Sequence, residues 1–125
     1  MRPLLIALAV AAIAAPVTAA EKGVPAATPS GAPVDCVRLN DIRETHVRSD
    51  QVIDFELRNR TFLRNTLPYT CPQLGFEERF AYSVTNGELC SLDTITVLQS
   101  GGGLTRGATC GLGKFQPVTL TTPAK

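Results

Sequence analysis

Apolar and polar residues alternate with a period of two along several short segments of the chain, which is the pattern of half-buried β-strands. The clearest segment is 53–58 (IDFELR), in which every second side chain is apolar and the others are charged. Segments 35–47, 62–67, 79–84 and 89–98 are also predicted to form strands, with a short helix as the alternative for 35–47. The pattern predicts an all-β fold, a small antiparallel barrel or rolled sheet of about five strands.

Two connections between these strands are predicted from their turn residues. Asn86 and Gly87 both tolerate positive φ, so they predict a type I′ hairpin between segments 79–84 and 89–98. After segment 53–58, a three-residue loop at 59–61 keeps the apolar residues on one face and sets Glu56 opposite Arg64.

Two further positions stand outside the simple strand pattern. Asp93 shares its parity with apolar residues, so we expect either a bulge or a partly buried Asp93 that accepts backbone hydrogen bonds. Residues 75–78 are expected to form a helical turn.

The composition divides the chain into four parts. Residues 1–20 have the positive start, the apolar run and the small final residues of an export signal, with cleavage expected after Ala20 or Ala19. Their apolar run is shorter than the ~20 residues of a membrane-spanning helix, so a retained anchor is the weaker alternative. Residues 21–34 are predicted to be a Pro/Ala-rich flexible spacer, 35–121 a single β domain and 122–125 a tail. The mature protein is expected in the periplasm or secreted, with no membrane span.

Four cysteines, Cys36, Cys71, Cys90 and Cys110, follow the predicted signal. Small exported domains commonly use cysteines in disulfides, whereas cysteine metal sites usually contain close pairs. We therefore expect two disulfides, and no metal or cofactor. Three pairings are open. The preferred one is Cys71–Cys90 with Cys36–Cys110, because the latter bridge would join the beginning of the domain to its end.

Charge and composition argue against several classes of function. Without Arg2 the chain carries eleven basic and eleven acidic residues, so nucleic acid is not an expected partner. Arginines and acids interleave between residues 35 and 64, which we interpret as a solvent-exposed face with salt bridges, an anion-binding patch being the alternative. His46, the only histidine, has no accompanying nucleophile motif, and Gly101-Gly102-Gly103 lacks the sequel of a phosphate-binding loop. No catalytic residue is assigned.

Several segments resemble a family of small exported bacterial proteins that is known only as a domain of unknown function. The similar segments are 36–43 (CVRLNDIR), 53–57 (IDFEL), 67–72 (LPYTCP), 89–98 (LCSLDTITVL) and 107–115 (GATCGLGKF). From the first segment to the last, the resemblance extends over residues 36–115, essentially the whole predicted β domain. The resemblance implies a bacterial, periplasmic protein with a four-cysteine framework, and it implies no activity. The chain departs from the family at Asn59-Arg60, where a glycine is usual.

Three functions from different classes are compatible with these features. Export, small size, two disulfides and the lack of a catalytic set favour a monomeric, non-enzymatic interaction module for an envelope protein or polymer, with Arg58, Arg60 and Arg64 as its contact region. The alternative is a small inhibitor of an envelope enzyme that presents the loop 67–72, because a disulfide-anchored loop binds at a lower entropic cost. The third is a hydrolase, which would require a cleft that joins His46 to an acid.

Overall fold

The computed structural model describes residues 23–84, 86–101, 103 and 105–121, and it is mainly β. The predicted signal 1–20, the start of the spacer and the tail 122–125 lie outside these residues. Along the described chain the elements are β1 (Ala27–Pro29), β2 (Cys36–Arg38), a 3-10 turn (Leu39–Asp41), β3 (Ile42–Val47), β4 (Val52–Leu57), β5 (Phe62–Thr66), α1 (Leu74–Glu77), β6 (Phe80–Tyr82), β7 (Glu88–Cys90), β8 (Thr94–Gln99), β9 (Thr105–Gly111) and β10 (Phe115–Leu120). None of the helices in this part of the chain has the length and apolar content needed to cross a membrane.

The strands form three antiparallel sheets, which confirms the predicted fold class. Their orders are β1-β10-β5-β4-β3, β2-β7 and β6-β8-β9. Within the described residues these sheets do not close into a barrel, so the rolled-sheet alternative is the closer one. The predicted strand at 35–47 is two strands separated by the 3-10 turn, and the predicted helical turn corresponds to α1.

All three sheets contribute to one hydrophobic core. Phe55 of β4 and Phe115 of β10 meet edge to face with their ring centroids 5.3 Å apart. The other sheets and the segment around α1 add buried apolar side chains, which include Val37, Leu67, Leu74, Leu89, Ile95, Val97 and Leu112. Full burial of such a side chain contributes roughly 1.5–3 kcal/mol, so this shared core holds the three sheets together.

The alternation predicted for β4 is present, but both faces of the strand are buried. Ile53 and Phe55 point into the core and are fully buried. Asp54 and Glu56 lie on the opposite face, where they are only 0% and 9% exposed. The expected half-buried strand with a solvated charged face is therefore wrong at this position, because arginine side chains cover and pair with the acids.

The loop between β4 and β5 has the predicted length but lies one residue earlier in the chain. The Leu57 amide donates to the Thr61 carbonyl at 2.8 Å, so residues 58–60 form the loop. Arg60 has φ 68°, the left-handed conformation that commonly ends a three-residue hairpin loop. The shift pairs Arg64 with Asp54, and the predicted pairing of Arg64 with Glu56 is wrong.

The prediction of a hairpin at Asn86-Gly87 is also wrong. Gly87 does have a positive φ of 74°. However, β6 pairs with β8 and β7 pairs with β2, so the strands on either side of the turn belong to different sheets. The Leu39 amide donates to the Gly87 carbonyl at 2.9 Å and helps to keep this turn on the two-stranded sheet.

Segment 89–98 is divided by a turn at Ser91-Leu92 into β7 and β8. A carboxylate oxygen of Asp93 accepts a hydrogen bond from the Cys90 amide at 2.7 Å. Asp93 is partly buried, so the alternative of a hydrogen-bonded aspartate is confirmed at this position and the bulge is not.

The segment 21–34, predicted to be a flexible spacer, contains a β-strand at its centre. Ala27–Pro29 forms β1, which pairs antiparallel with β10 at the edge of the five-stranded sheet. Hydrogen bonds from Ser30 to Pro117 and from Thr121 to Ala26 continue this contact. Composition alone indicated a flexible segment, but the open edge of β10 supplies backbone partners that do not depend on side-chain type.

The structure has two disulfides, as predicted, but the preferred pairing of Cys71 with Cys90 and of Cys36 with Cys110 is wrong. The bridges are Cys36–Cys90 and Cys71–Cys110, and no cysteine is free. Cys36 and Cys90 are direct partners in the β2–β7 ladder, with Cα atoms 4.0 Å apart. The partner of Cys36 is therefore set by the pairing of β2 with β7, and the bridge does not join the beginning of the domain to its end.

Candidate functional site

The three arginines predicted as a contact region do not form one surface. Arg64 binds both carboxylate oxygens of Asp54, with its Nε 2.8 Å from Oδ1 and its Nη2 2.9 Å from Oδ2. Arg58 and Arg60 are exposed in the β4–β5 loop, where Arg58 Nε donates to the Asn40 carbonyl. Arg64 is thus a structural residue, and the predicted region is reduced to the two loop arginines.

Arg64 belongs to a charged cluster on the side of the five-stranded sheet that faces away from the core. We call this cluster the charged face, and it consists of Arg43, Glu44, His46, Arg48, Asp54, Glu56 and Arg64. Asp54 accepts a further hydrogen bond from Arg48 Nε at 3.0 Å, and Glu56 accepts one from Arg43 Nη1 at 2.7 Å. Each buried acid therefore has an arginine partner, as buried charges require. The predicted salt bridges exist, but their acids Asp54 and Glu56 are buried rather than exposed to solvent.

His46 lies beside acids, which the sequence analysis did not foresee. Its Nε2 is 3.9 Å from a carboxylate oxygen of Glu44, and Glu56 contributes a third ligand-type atom within 4.8 Å of the others. Period-two alternation already places Glu44 and His46 on one face of a strand. Glu56 comes from the neighbouring strand, so its proximity could not be deduced without the β3–β4 register.

An apolar groove of about 440 Å³, which shares no lining residue with the charged face, lies beside the Cys71–Cys110 bridge. We call it the Tyr69 groove; it is lined by residues of the loop 68–72, by Leu92 and by residues 108–112. Tyr69 and Leu92 are 84% and 86% exposed. The bridge joins the two walls, because Cys71 lies in the loop and Cys110 lies in β9.

The groove runs along β9, the edge strand of the three-stranded sheet. The Leu112 amide donates to the Asp93 carbonyl at 2.9 Å, immediately beyond the ladder pair Thr94–Gly111. Hydrogen-bonded and non-hydrogen-bonded pairs alternate in antiparallel ladders, so the backbone groups of Thr109 and Gly111 point away from β8. Within the described residues these groups have no hydrogen-bond partner, which makes β9 an available edge for another strand.

Leu92 has a backbone conformation that stability alone does not favour. Its φ is 74°, in the left-handed region that costs a side-chain-bearing residue roughly 1–2 kcal/mol. Its side chain is almost fully exposed and gains little from burial. Such outliers occur preferentially at binding sites. The available sequence signal was an apolar residue inside the Ser91–Asp93 interruption of the strand pattern, and the sequence analysis did not use it.

Comparison of the chain with family models, with curated proteins and with solved structures finds no match. The resemblance to a family of unknown function therefore stays a prediction. The candidate functional regions of the described chain are the Tyr69 groove and the charged face.

Proposed function

We propose that the protein is a non-enzymatic, exported interaction module that binds an extended apolar segment of an envelope polypeptide. The observation that carries this proposal is the open edge of β9 beside the exposed side chains of Tyr69 and Leu92. In strand addition, main-chain hydrogen bonds supply affinity and pockets for alternate side chains supply specificity. The outward groups of Thr109 and Gly111 would supply the former, and the Tyr69 groove the latter.

The anchoring of the loop 67–72 supports binding at this place. Cys71 is fully buried and covalently joined to β9, and its amide donates to the Asp50 carbonyl at 2.7 Å. A loop that is already fixed loses little conformational freedom when a ligand binds, so more of the contact energy appears as affinity. Tyrosine is also among the residues that are enriched at binding hot spots.

Export is part of the proposal. Two disulfides are typical of proteins that fold in an oxidising compartment. We propose that residues 1–20 are removed and that the mature protein works in the periplasm as a monomer. N-terminal sequencing of the protein from a periplasmic extract should then begin at Glu21, or at Ala20. An intact Met1 in the purified protein would contradict the cleavage.

Strand addition can be tested by NMR with synthetic peptides. The isotopically labelled protein is titrated with peptides of about seven residues, the length of β9, in which apolar and polar residues alternate. We expect the largest amide shifts at Thr109 and Gly111, and loss of binding when alternate peptide amides are N-methylated. Shifts confined to other sheets, or tolerance of N-methylation, would contradict strand addition.

A matched pair of tyrosine variants tests the contribution of the groove. Tyr69→Ser should weaken peptide binding by about tenfold or more, since loss of a hot-spot side chain costs about 2 kcal/mol or more. Tyr82→Ser removes the other tyrosine of the chain, which lies on β6 outside the groove, and should leave the affinity unchanged. Equal effects of the two substitutions would exclude the groove.

The inhibitor hypothesis is a second candidate, because the exposure of Tyr69 also fits a side chain that the protein inserts into the site of an enzyme. Tyr69 projects from a disulfide-anchored loop and is 84% exposed, as a side chain inserted into an enzyme cleft would be. Measured inhibition of envelope proteases and muramidases that is weakened by Tyr69→Ser, but not by a change at Leu92, would favour this candidate. Absence of inhibition at micromolar protein would eliminate it.

A further inference from the structure

We propose that Glu44, His46 and Glu56 form a binding site for a divalent transition-metal ion such as Zn²⁺. Glu44 and Glu56 are direct partners in the β3–β4 ladder, and His46 lies two residues further along β3 on the same face. One nitrogen and two carboxylate oxygens, one from each residue, lie within 4.8 Å of one another. Donors bonded to one zinc ion are about 3–4 Å apart, so small side-chain rotations are enough to bring these atoms onto a common ion.

The imidazole of His46 provides the first independent argument. Its Nε2 is shielded from solvent, yet it has no hydrogen-bond partner among the described residues. A buried polar atom without a partner is costly, and such exceptions in folded proteins require a specific explanation. Coordination of a metal ion would satisfy this nitrogen, since neutral imidazole is a common metal ligand.

The two glutamates provide the second argument. Like charges directly opposite each other on neighbouring strands destabilise a sheet. Arg43 offsets part of this repulsion through its 2.7 Å bond to Oε2 of Glu56. No hydrogen bond of the described residues uses the other carboxylate oxygen of Glu56, nor either oxygen of Glu44, so both acids keep a free oxygen for a cation.

The donor set indicates the class of metal. Imidazole nitrogen suits zinc, copper, iron and nickel, whereas calcium and magnesium prefer sites made of oxygen alone. Three protein ligands leave at least one position for water on a tetrahedral ion. Glu44 has a side chain that is 60% exposed, so an ion can reach the site from solvent.

Calorimetry with Zn²⁺ alone tests the site on the purified, disulfide-bonded protein without a histidine tag. We expect one equivalent of Zn²⁺ to bind and Ca²⁺ not to bind under the same conditions. Because His46 is the only histidine, its imidazole NMR signals should shift on addition of Zn²⁺. His46→Asn should weaken binding by at least about tenfold. Absence of Zn²⁺ binding, or unshifted imidazole signals, would overturn the proposal.

Glu44→Gln keeps the test informative if His46→Asn does not fold. Glu44 is exposed and takes part in no hydrogen bond in the described part of the chain, so its substitution should not disturb the sheet. We expect it to weaken Zn²⁺ binding by about tenfold. Glu78→Gln, an exposed acid outside the cluster, is the matched control and should bind Zn²⁺ as tightly as the unaltered protein. Equal affinities of the Glu44 and Glu78 variants would overturn the proposal.

Discussion

The charged face and the Tyr69 groove differ in the kind of side chain that each holds in an unfavourable environment: the charged face buries carboxylates, and the groove exposes apolar and aromatic side chains to water. On the charged face, Asp54 is removed from water and held by the arginines Arg48 and Arg64. In the groove, Tyr69 and Leu92 are apolar or aromatic side chains left in water, beside backbone groups of β9 that have no partner within the described part of the chain. The Asp54 carboxylate is paired within the chain, whereas the groove keeps apolar side chains available for a ligand. Substitution of Asp54 should therefore change stability, and substitutions in the groove should change peptide binding.

The largest expected effect comes from Asp54. Asp54→Asn removes the buried negative charge that two partly buried arginines share, and breaking a buried ion pair in this way costs about 3–5 kcal/mol. The free energy of unfolding can be measured by urea denaturation followed by circular dichroism. Asp41→Asn, at an exposed position, is the control and should change it by no more than about 0.5 kcal/mol. A loss below about 1 kcal/mol for Asp54→Asn would mean that the charged face is solvated and that the contrast with the groove fails.

Removal of each disulfide in turn gives the next largest expected effect, and the two variants can be compared directly because both should lose similar stability. The double variant Cys71→Ser/Cys110→Ser should lose about 2–4 kcal/mol of stability, and Cys36→Ser/Cys90→Ser a similar amount, since the bridges close loops with sequence separations of 39 and 54. Only the first variant releases the wall of the Tyr69 groove. Peptide affinity should therefore fall in the first variant and persist in the second when both are measured at a temperature where they are folded. Equal losses of affinity would show that binding depends on general stability.

These contrasts also explain which parts of the molecule the sequence could predict. The alternation of Ile53 and Phe55 with Asp54 and Glu56 is a local property, and it correctly placed β4 and its two faces. Burial of the charged side could not be predicted, because it depends on Arg48 beyond the end of β3 and on Arg64 in the next strand. A one-residue shift of the β4–β5 loop was enough to change the partner of Arg64.

Non-local pairing limited the rest of the prediction. The number of disulfides followed from the cysteine count and the predicted export signal, but their connectivity depends on which strands become neighbours. Cys36 meets Cys90 because β7 leaves its expected partner β6 and pairs with β2. The edge position of β9 likewise follows from the order of a whole sheet. The loop 67–72 was recognised from its prolines and Cys71, whereas its groove requires Leu92 and β9 as the opposite wall.

The smallest expected effect is a gain in stability from glycine substitutions at Leu92 and Arg60. It separates stability from binding most directly, because the substitutions above are all expected to lower the free energy of unfolding. Leu92 and Arg60 are both exposed residues with positive φ, at 74° and 68°. Glycine at either position relieves about 1–2 kcal/mol of backbone strain and loses part of this through its larger unfolded-state entropy, so each variant should gain up to about 1 kcal/mol.

Leu92→Gly and Arg60→Gly should differ in peptide binding although they gain similar stability. Leu92→Gly removes an apolar wall of the Tyr69 groove, so the affinity should fall by about tenfold. Arg60→Gly alters only the β4–β5 loop, which contributes no residue to the groove lining, and should bind the peptide unchanged. A more stable Leu92→Gly protein with full affinity would leave the strained, exposed leucine without a role in recognition. A loss of affinity in Arg60→Gly would instead return the contact region to the arginine loop and remove the contrast between the two regions.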